Sequence, residues 1–208
     1  PERDRLRAML GVAPDQLLVG TVSCLKPQKS PEDFVRVAAL VCQRVPAARC
    51  VLVGDGALRP KVEALLLEQG LQDRVTLLGW RRDVAALLKA FDVFVLTSQW
   101  EGLPCAILEA RASRIPIVAT RVGGAAEAIV EGIQGTLCPA GDVRAMAERV
   151  CQILEDERFR VDLRTGTQEL PEEFTIQETL KQYQSLYAYL LHATRPSEDV
   201  MKLQPNRL

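Results

Sequence analysis

The chain has 208 residues, of which 48% are hydrophobic and 25% are charged, and its formal net charge is −1. This composition is typical of a globular protein that can bury a core, and the lack of a basic excess argues against nucleic-acid binding. No apolar run approaches the length of a membrane span, and the charged first residues are unlike a secretory signal, so we expect a cytoplasmic protein.

Apolar runs of strand length alternate with segments of helical period over the first part of the chain. The predicted strands are residues 17–23, 49–54, 75–80, 91–96 and 115–120. The predicted helices are residues 31–45, 57–70 and 83–90, and a segment that begins near Pro104. Strands that are apolar throughout and alternate with helices are typical of a parallel sheet covered by helices on both faces. We therefore predict an α/β fold with a doubly wound, Rossmann-like parallel sheet.

The remaining part of the chain is predicted to be helical without strands. Helices are expected over residues 142–156 and 174–191, with a short segment over 157–169 between them. In the last helix apolar residues recur at helical spacing, and we interpret this stripe as a packing face. The stripe consists of Ile176, Leu180, Tyr183, Leu186 and Leu190. We predict one domain over residues 1–191 and a loosely ordered tail over 192–208.

The most informative motif is a pair of glutamates after the fourth predicted strand. Glu101 falls on the loop that follows this strand, and Glu109 falls inside the next helix, about two turns from its start. Open α/β sheets bind ligands at the carboxyl ends of their strands, and the N-terminus of a helix attracts phosphate. The arrangement suits a phosphorylated ligand that bears hydroxyl groups. The alternative is that both glutamates are solvated residues, favoured at a helix start by the macrodipole.

Seven residues separate the two glutamates, and the stretch EGLPCAILEA resembles the E-x7-E motif of retaining nucleotide-sugar glycosyltransferases with the GT-B fold, of the glycosyltransferases group 1 type. The resemblance implies that Glu101 lies beside the donor sugar and orients it in the catalytic site. It implies that the backbone amides of Gly102, Leu103 and Pro104 meet the sugar and the phosphate. It also implies that Glu109 accepts hydrogen bonds from the ribose hydroxyls.

Two lysines follow the first predicted strand, at the same edge of the sheet as the glutamate loop. Lys26 and Lys29 would both project there, which suits a diphosphate. Lys29 matches the phosphate-binding lysine of the family. The arginine of the family falls on Cys24, which carries no charge, and Lys26 is the candidate to replace it as a less directional donor.

Three further turns resemble loops of the family. Trp80 and Arg81 follow the third predicted strand, and the resemblance implies that they contact or border the nucleobase; a core or domain-interface position for Trp80 is the alternative. The turn at Gly54 would let the backbone pass close to another element or to a ligand. The Gly-Gly turn at 123–124, with Glu127 after it, resembles the G-G-x-x-E stretch of the family, and the alternative is a plain turn with a helix cap.

The resemblance covers one half of a GT-B enzyme, the C-terminal half that binds the donor. A first residue, Pro1, that is not methionine agrees with a fragment of a longer protein. We expect the complete protein to transfer a sugar from a UDP-, GDP- or ADP-sugar to an acceptor with retention, and this chain alone to be inactive. The missing N-terminal acceptor domain is the expected partner, and an association with membrane through that half stays open.

The sequence argues for no metal and no cofactor in this half. Its six cysteines show neither a CxxC motif nor a Cys/His ligand spacing, so a metal site or a disulfide framework is not expected. Two other functions remain open from the sequence. One is a non-catalytic module that binds a nucleotide sugar, and the other is a different GT-B activity such as an epimerase or a phosphorylase.

Overall fold

The structure, a computed structural model, describes residues 2–166 and 171–192. The described residues fall into two compact units on either side of the gap between 166 and 171. The predicted domain, residues 1–191, extends over both units. The predicted tail, residues 192–208, lies outside the described residues except for the backbone of its first residue, so both boundaries stay predictions.

In the first unit, six parallel strands form one sheet, and helices cover both of its faces. The strands are β1 Leu17–Val22, β2 Ala48–Val53, β3 Val75–Gly79, β4 Val93–Leu96, β5 Ile117–Thr120 and β6 Gly135–Cys138. Their order in the sheet is β3-β2-β1-β4-β5-β6. This is the doubly wound, Rossmann-like order, so the predicted fold class is confirmed. Strand β6 was not predicted.

The helices of this unit form two layers, each over its own hydrophobic core. They are α1 Glu2–Met9, α2 Pro31–Arg44, α3 Arg59–Glu68, α4 Val84–Ala90, α5 Cys105–Ala112, α6 Ala125–Ala128, α7 Val143–Glu155 and α8 Glu157–Gly166. On one face, Phe34, Val62 and Met146 bring α2, α3 and α7 into a single core. On the other face, Leu87 and Ile107 bring α4 and α5 into a second core. Helix α1 was not predicted.

The middle of the sheet is where the chain order reverses, because β1 lies between β2 and β4. Gly20 in β1 allows this arrangement, since a Cβ atom there would lie 2.1 Å from the ring of Phe91 just before β4. In open sheets of this order, ligands bind outside the carboxyl ends of the strands at the reversal point. The loops that follow β1 and β4 are therefore the candidate ligand-binding site.

The second unit contains helix α9, Ile176–His192, preceded by one turn of 3-10 helix. The five residues of the predicted apolar stripe are between 45% and 64% exposed in the structure. The predicted packing face is therefore not buried within the described residues. Nor is any helix among residues 2–166 and 171–192 long and apolar enough to span a bilayer.

Candidate functional site

Three loops meet at the carboxyl edge of the sheet, where the chain order reverses. We call them the β1 loop (residues 23–30), the β4 loop (residues 97–104) and the β5 loop (residues 121–124). Gln28 ties the first two together, because its side chain donates to the Trp100 carbonyl over 2.9 Å and its own carbonyl accepts from the next loop over 2.8 Å. Residues far apart in the sequence are thus held in one rigid edge.

Lys29 and Glu101 form an ion pair between the β1 loop and the β4 loop. Lys29 Nζ donates a hydrogen bond to Glu101 Oε1, and Ser98 Oγ donates to the same oxygen over 2.6 Å. The side chains are largely buried, with 17% of Lys29 and 6% of Glu101 exposed. Burial strengthens such a pair relative to an exposed one. The structure therefore brings together two of the predicted site residues, one cationic and one anionic, and adds Ser98, which the sequence did not single out.

The residues after Glu101 lead directly into helix α5. Pro104 is buried and occupies the N-cap position, and Cys105 is the first helical residue. Gly102 and Leu103 are exposed beside them. The unpaired amides of a helix start carry a partial positive charge that favours an anion. Of the three residues predicted to offer backbone amides, only Gly102 and Leu103 have an N–H to donate, because proline has none. These two amides share one edge of the sheet with a cationic side chain.

The Gly-Gly turn in the β5 loop holds the β4 loop in place. Gly124 N donates to the Gly102 carbonyl over 2.7 Å. Gly123 has φ of +45°, and a Cβ atom there would lie 1.8 Å from the Glu101 carbonyl oxygen. Only glycine fits this position, because both the backbone conformation and the close approach exclude a side chain. The turn is therefore more than a plain cap: it fixes the backbone of the residue that the resemblance places beside the donor sugar.

Glu109 stands apart from the ion pair. It lies in α5 slightly more than one turn after Cys105, so the predicted distance of two turns from the helix start is wrong. The loop before the helix is one residue longer than expected, because Pro104 caps the helix instead of opening it. Partial burial raises the pKa of the Glu109 carboxyl, and among the described residues no hydrogen bond or ion pair engages that carboxyl. The carboxylate is available to a ligand.

A second part of the same edge is a cavity of about 400 Å³ formed by the loops after β1, β2 and β3. Trp80 and Arg81 line it, together with Cys24 and Gly54. Trp80 is 68% exposed, so the alternative of a core position is wrong. Its ring lies 5.4 Å from the guanidinium of Arg82, in cation–π geometry. An exposed aromatic face at the rim of a cavity suits stacking on a planar ring such as a nucleobase.

Gly54 shapes this cavity by bringing the backbones after β1 and β2 together. Its φ is +134°, and a Cβ atom there would lie 1.9 Å from the Ser23 carbonyl oxygen. The predicted close backbone approach is therefore present. Cys24 and Lys26 are both exposed. Among the described residues no hydrogen bond or ion pair joins Lys26 to Glu101, so of the two lysines the structure places only Lys29 in the ion pair.

No group of three or more histidine, cysteine, aspartate or glutamate side chains in the described part of the chain is arranged to hold a metal ion. Charged side chains at the carboxyl edge include Lys26, Lys29, Glu101 and Glu109, with Arg81 in the lining of the cavity. The guanidinium of Arg81 pairs with Asp83 over 2.6 Å at the rim of the cavity.

A sheet of this order with a charged edge at its reversal point is typical of proteins that bind nucleotides. Comparison with protein families makes this specific, since residues 2–170 match the family model described as Glycosyl transferases group 1. The chain belongs to this family.

The chain is similar to several characterised proteins of the same kind. It is 31% identical to N-acetyl-alpha-D-glucosaminyl L-malate synthase of Bacillus anthracis over 88% of this chain and 48% of that protein. It is 28% identical to HepE of Anabaena, solved in complex with UDP-glucose, with a TM-score of 0.82 over 90% of this chain and 52% of that one.

A similar fold is also found in a domain that was solved by itself. The C-terminal domain of a glycosyl transferase group 1 family protein, LpcC of Francisella tularensis, shares the fold at 20% identity, with a TM-score of 0.72 over 79% of this chain and 88% of that one. The chain spans about half the length of the curated relatives it matches. The predicted half of a GT-B fold, its C-terminal domain, is confirmed.

Proposed function

We propose that this chain is the donor-binding domain of a glycosyltransferase and that it binds a nucleotide diphosphate sugar. The observation that carries the proposal is the buried Lys29–Glu101 pair at the point where the strand order reverses. An ammonium for a diphosphate and a carboxylate for sugar hydroxyls stand side by side there. The solved complex of HepE with UDP-glucose supports a ligand of this class.

The roles of the remaining residues follow from where they lie. The diphosphate binds at Lys29 and at the amides that follow Glu101, with Lys26 adding charge from the same loop. The ribose hydroxyls donate to Glu109. The nucleobase occupies the cavity beside Trp80 and Arg81. Glu101 orients the sugar at the boundary between this domain and the acceptor.

Sugar transfer requires the site to stabilise negative charge. When the sugar leaves the nucleotide, charge develops on the departing diphosphate. A fixed ammonium and oriented amide dipoles stabilise that charge without reorganising, which is the largest contribution in many enzymes. We propose that transfer retains the anomeric configuration, as the resemblance of the E-x7-E motif implies. We propose further that charge neutralisation rests on protein groups.

A titration tests the ligand class. The purified chain is titrated by calorimetry with UDP, GDP and ADP, and in parallel with uridine, guanosine and adenosine. Binding of at least one diphosphate, clearly tighter than its own nucleoside, is the expected result. Nucleosides that bind as tightly as their diphosphates would contradict the role given to Lys29 and the amides.

The second candidate function is a module that binds a nucleotide sugar without catalysis. This candidate stands because the chain spans only about half the length of its relatives. The chain is incubated with nucleotide sugars and candidate acceptors, first alone and then with the N-terminal half of the complete protein. We expect no turnover by the chain alone, because the half of the cleft that positions the acceptor is supplied from elsewhere. Turnover only after addition supports the enzyme, binding without turnover in both cases supports the module, and multiple turnovers by the chain alone would refute the half-enzyme proposal.

A further inference from the structure

At the opposite edge of the sheet lies a second charged cavity, of about 370 Å³. It is formed at the amino ends of β1 and β4, and α1 contributes Arg3 and Arg7 while α8 contributes Arg160. The six residues of β1 separate this edge from the Lys29 edge, a distance of about 20 Å at the rise of a parallel strand. The cavity is therefore distinct from the proposed donor site.

Asp92, just before β4, is the buried centre of this edge. Arg3 Nη2 donates to its Oδ1 over 2.6 Å, and Arg7 Nη1 donates to its Oδ2 over 2.9 Å. The Leu18 amide adds a third hydrogen bond of 2.8 Å. Arg164 lies slightly farther away, with its Nη2 3.6 Å from Oδ1. A single carboxylate thus serves several guanidinium groups at once.

The cations outnumber the anions around this cavity. We call Arg3, Arg7, Arg160 and Arg164 the arginine cluster; the carboxylates beside it are Asp4 and Asp92. All four guanidinium groups are permanently charged. Burial, and then the other members of the cluster, lower the pKa of Arg164, while Asp92 opposes that shift. Backbone carbonyls accept hydrogen bonds from Arg7, Arg160 and Arg164, but the two carboxylates leave a net positive charge in a partly closed space.

Hydrogen-bond donors are left over as well. Within the described residues, Arg3 Nε and Arg164 Nε are buried and have no hydrogen-bond acceptor. A buried donor without an acceptor is uncommon, and it calls for a water or an ion. Arg3 belongs to the lining of the cavity, so a ligand in the cavity can reach the cluster.

We propose that the arginine cluster binds a phosphate group, either as free inorganic phosphate or as part of a small phosphomonoester. A phosphate dianion supplies the missing negative charge and has several acceptor oxygens. Guanidinium groups match its geometry, often with two parallel hydrogen bonds. The cavity has room for more than the phosphate itself. This site is independent of the proposed donor function.

The test uses the 208-residue chain and two probes, inorganic phosphate and glycerol 3-phosphate, titrated by calorimetry at constant ionic strength with chloride as the balancing anion. The two altered chains are Arg3→Gln and Arg160→Gln. Arg5→Gln is the matched control, since Arg5 is exposed on the same helix and does not line the cavity. Lys29→Ala controls for phosphate that binds at the donor edge. Thermal unfolding without phosphate verifies that each variant is folded.

We expect at least one probe to bind the unaltered chain, the Arg5→Gln variant and the Lys29→Ala variant with similar affinity. Loss of one charged hydrogen-bond donor should weaken binding by about tenfold or more in Arg3→Gln and Arg160→Gln. The Arg3→Gln variant loses a hydrogen bond to Asp92 and could unfold for that reason. In that case the phosphate affinity of the Arg160→Gln variant alone decides, because Arg160 makes none of the hydrogen bonds to Asp92. Tighter binding of glycerol 3-phosphate than of phosphate identifies a phosphomonoester as the ligand, and the reverse identifies the free ion.

Three results would overturn the proposal. The first is that neither probe binds the unaltered chain, in which case water satisfies the cluster. The second is that the Arg160→Gln variant binds both probes as tightly as the unaltered chain does. The third is that Lys29→Ala abolishes binding, which would assign the phosphate to the donor edge. None of these results would refute the binding of a nucleoside diphosphate at the donor edge, so the two proposals fail separately.

Discussion

Lys29 and Glu101 are 72 residues apart in the sequence, and the Lys29 ammonium donates a hydrogen bond to the Glu101 carboxylate. One was predicted to meet a phosphate and the other a sugar. The two charges neutralise each other in a nearly buried position. A diphosphate that binds at Lys29 must therefore share this cation with Glu101.

The first prediction concerns that competition. Glu101→Gln removes a negative charge next to the proposed phosphate position and replaces the ion pair with Lys29 by a weaker, neutral hydrogen bond. Because like charges a few ångströms apart repel, the variant should bind the preferred nucleoside diphosphate at least as tightly as the unaltered chain. It should lose affinity for the corresponding nucleotide sugar, whose hydroxyls lose a charged acceptor. Calorimetry with both ligands checks this, and parallel losses for the two would show that Glu101 supports the fold of the site and does not select the sugar.

The second prediction concerns Lys29 itself. Lys29→Ala should weaken the nucleoside diphosphate by about 1.5–3 kcal/mol, the range for a hydrogen bond to a charged group, and leave the nucleoside nearly unchanged. The gap should shrink as salt rises, because an ammonium acts on phosphate as a point charge that salt screens. Titrations at low and high ionic strength measure it. Lys89→Ala is the control, since Lys89 is an exposed lysine paired with Glu2; an equal effect of both variants would argue for a general charge effect.

Glu109 gives a third prediction, which combines binding with stability. Glu109→Gln should weaken nucleotide binding by about 1–3 kcal/mol, since a neutral amide is a poorer partner for ribose hydroxyls. The Glu68→Gln variant, altered at an exposed position in α3, serves as control. Unchanged nucleotide affinity in the Glu109→Gln variant would show that Glu109 does not bind the ribose.

The same variant should be more stable than the unaltered chain at pH 7. Burial raises the pKa of the Glu109 carboxyl in the folded state. Its stabilising contribution is therefore complete below the unfolded-state value, at about pH 4, and is lost as pH rises through the folded-state pKa. Glutamine does not ionise, so the advantage of Glu109→Gln should be present at pH 7 and fade toward pH 4. Urea unfolding at the two pH values decides it, and an advantage that grows in acid would have the wrong sign.

The fourth prediction separates the two demands on Gly123. Gly123→Ala and Gly132→Ala both place a side chain at positive φ, but only at Gly123 would the new Cβ meet a backbone atom, the Glu101 carbonyl oxygen. Gly132→Ala should cost about 1–2 kcal/mol in the free energy of unfolding, the cost of the left-handed conformation. Gly123→Ala should cost more, and it alone should weaken nucleotide binding by displacing the β4 loop. Equal costs and unchanged binding would show that the β5 loop can move away freely.

The sheet could be predicted because its strands are short apolar runs between good helix formers. Strand β6, GTLC, escaped prediction because four residues with a glycine and a threonine carry little apolar pattern. Helix α1, ERDRLRAM, escaped because its charges dominate an irregular apolar spacing. The apolar stripe of α9 was read correctly as helical. The predicted burial of this stripe was wrong within the described residues, because helical periodicity identifies an apolar face but not whether another element covers it.

The candidate site was predictable residue by residue, but not as an arrangement. Each of Lys29, Glu101 and Trp80 follows a strand, which places all of them at one edge. Two contacts depend on which strands are neighbours in the sheet. They are the ion pair of Lys29 with Glu101 and the close approach of Gly123 to the Glu101 backbone. That information lies in long-range packing. The arginine cluster was missed for the same reason, since its members come from α1 and α8, far apart in the sequence.

A crystal structure of the chain with its preferred nucleoside diphosphate would show whether that ligand binds across the β1 and β4 loops. We expect phosphate oxygens within hydrogen-bond distance of Lys29 Nζ and the amides after Glu101, with the ribose at Glu109 and the base beside Trp80. A nucleotide bound elsewhere, or one at this edge that contacts neither Lys29 nor Glu109, would contradict it.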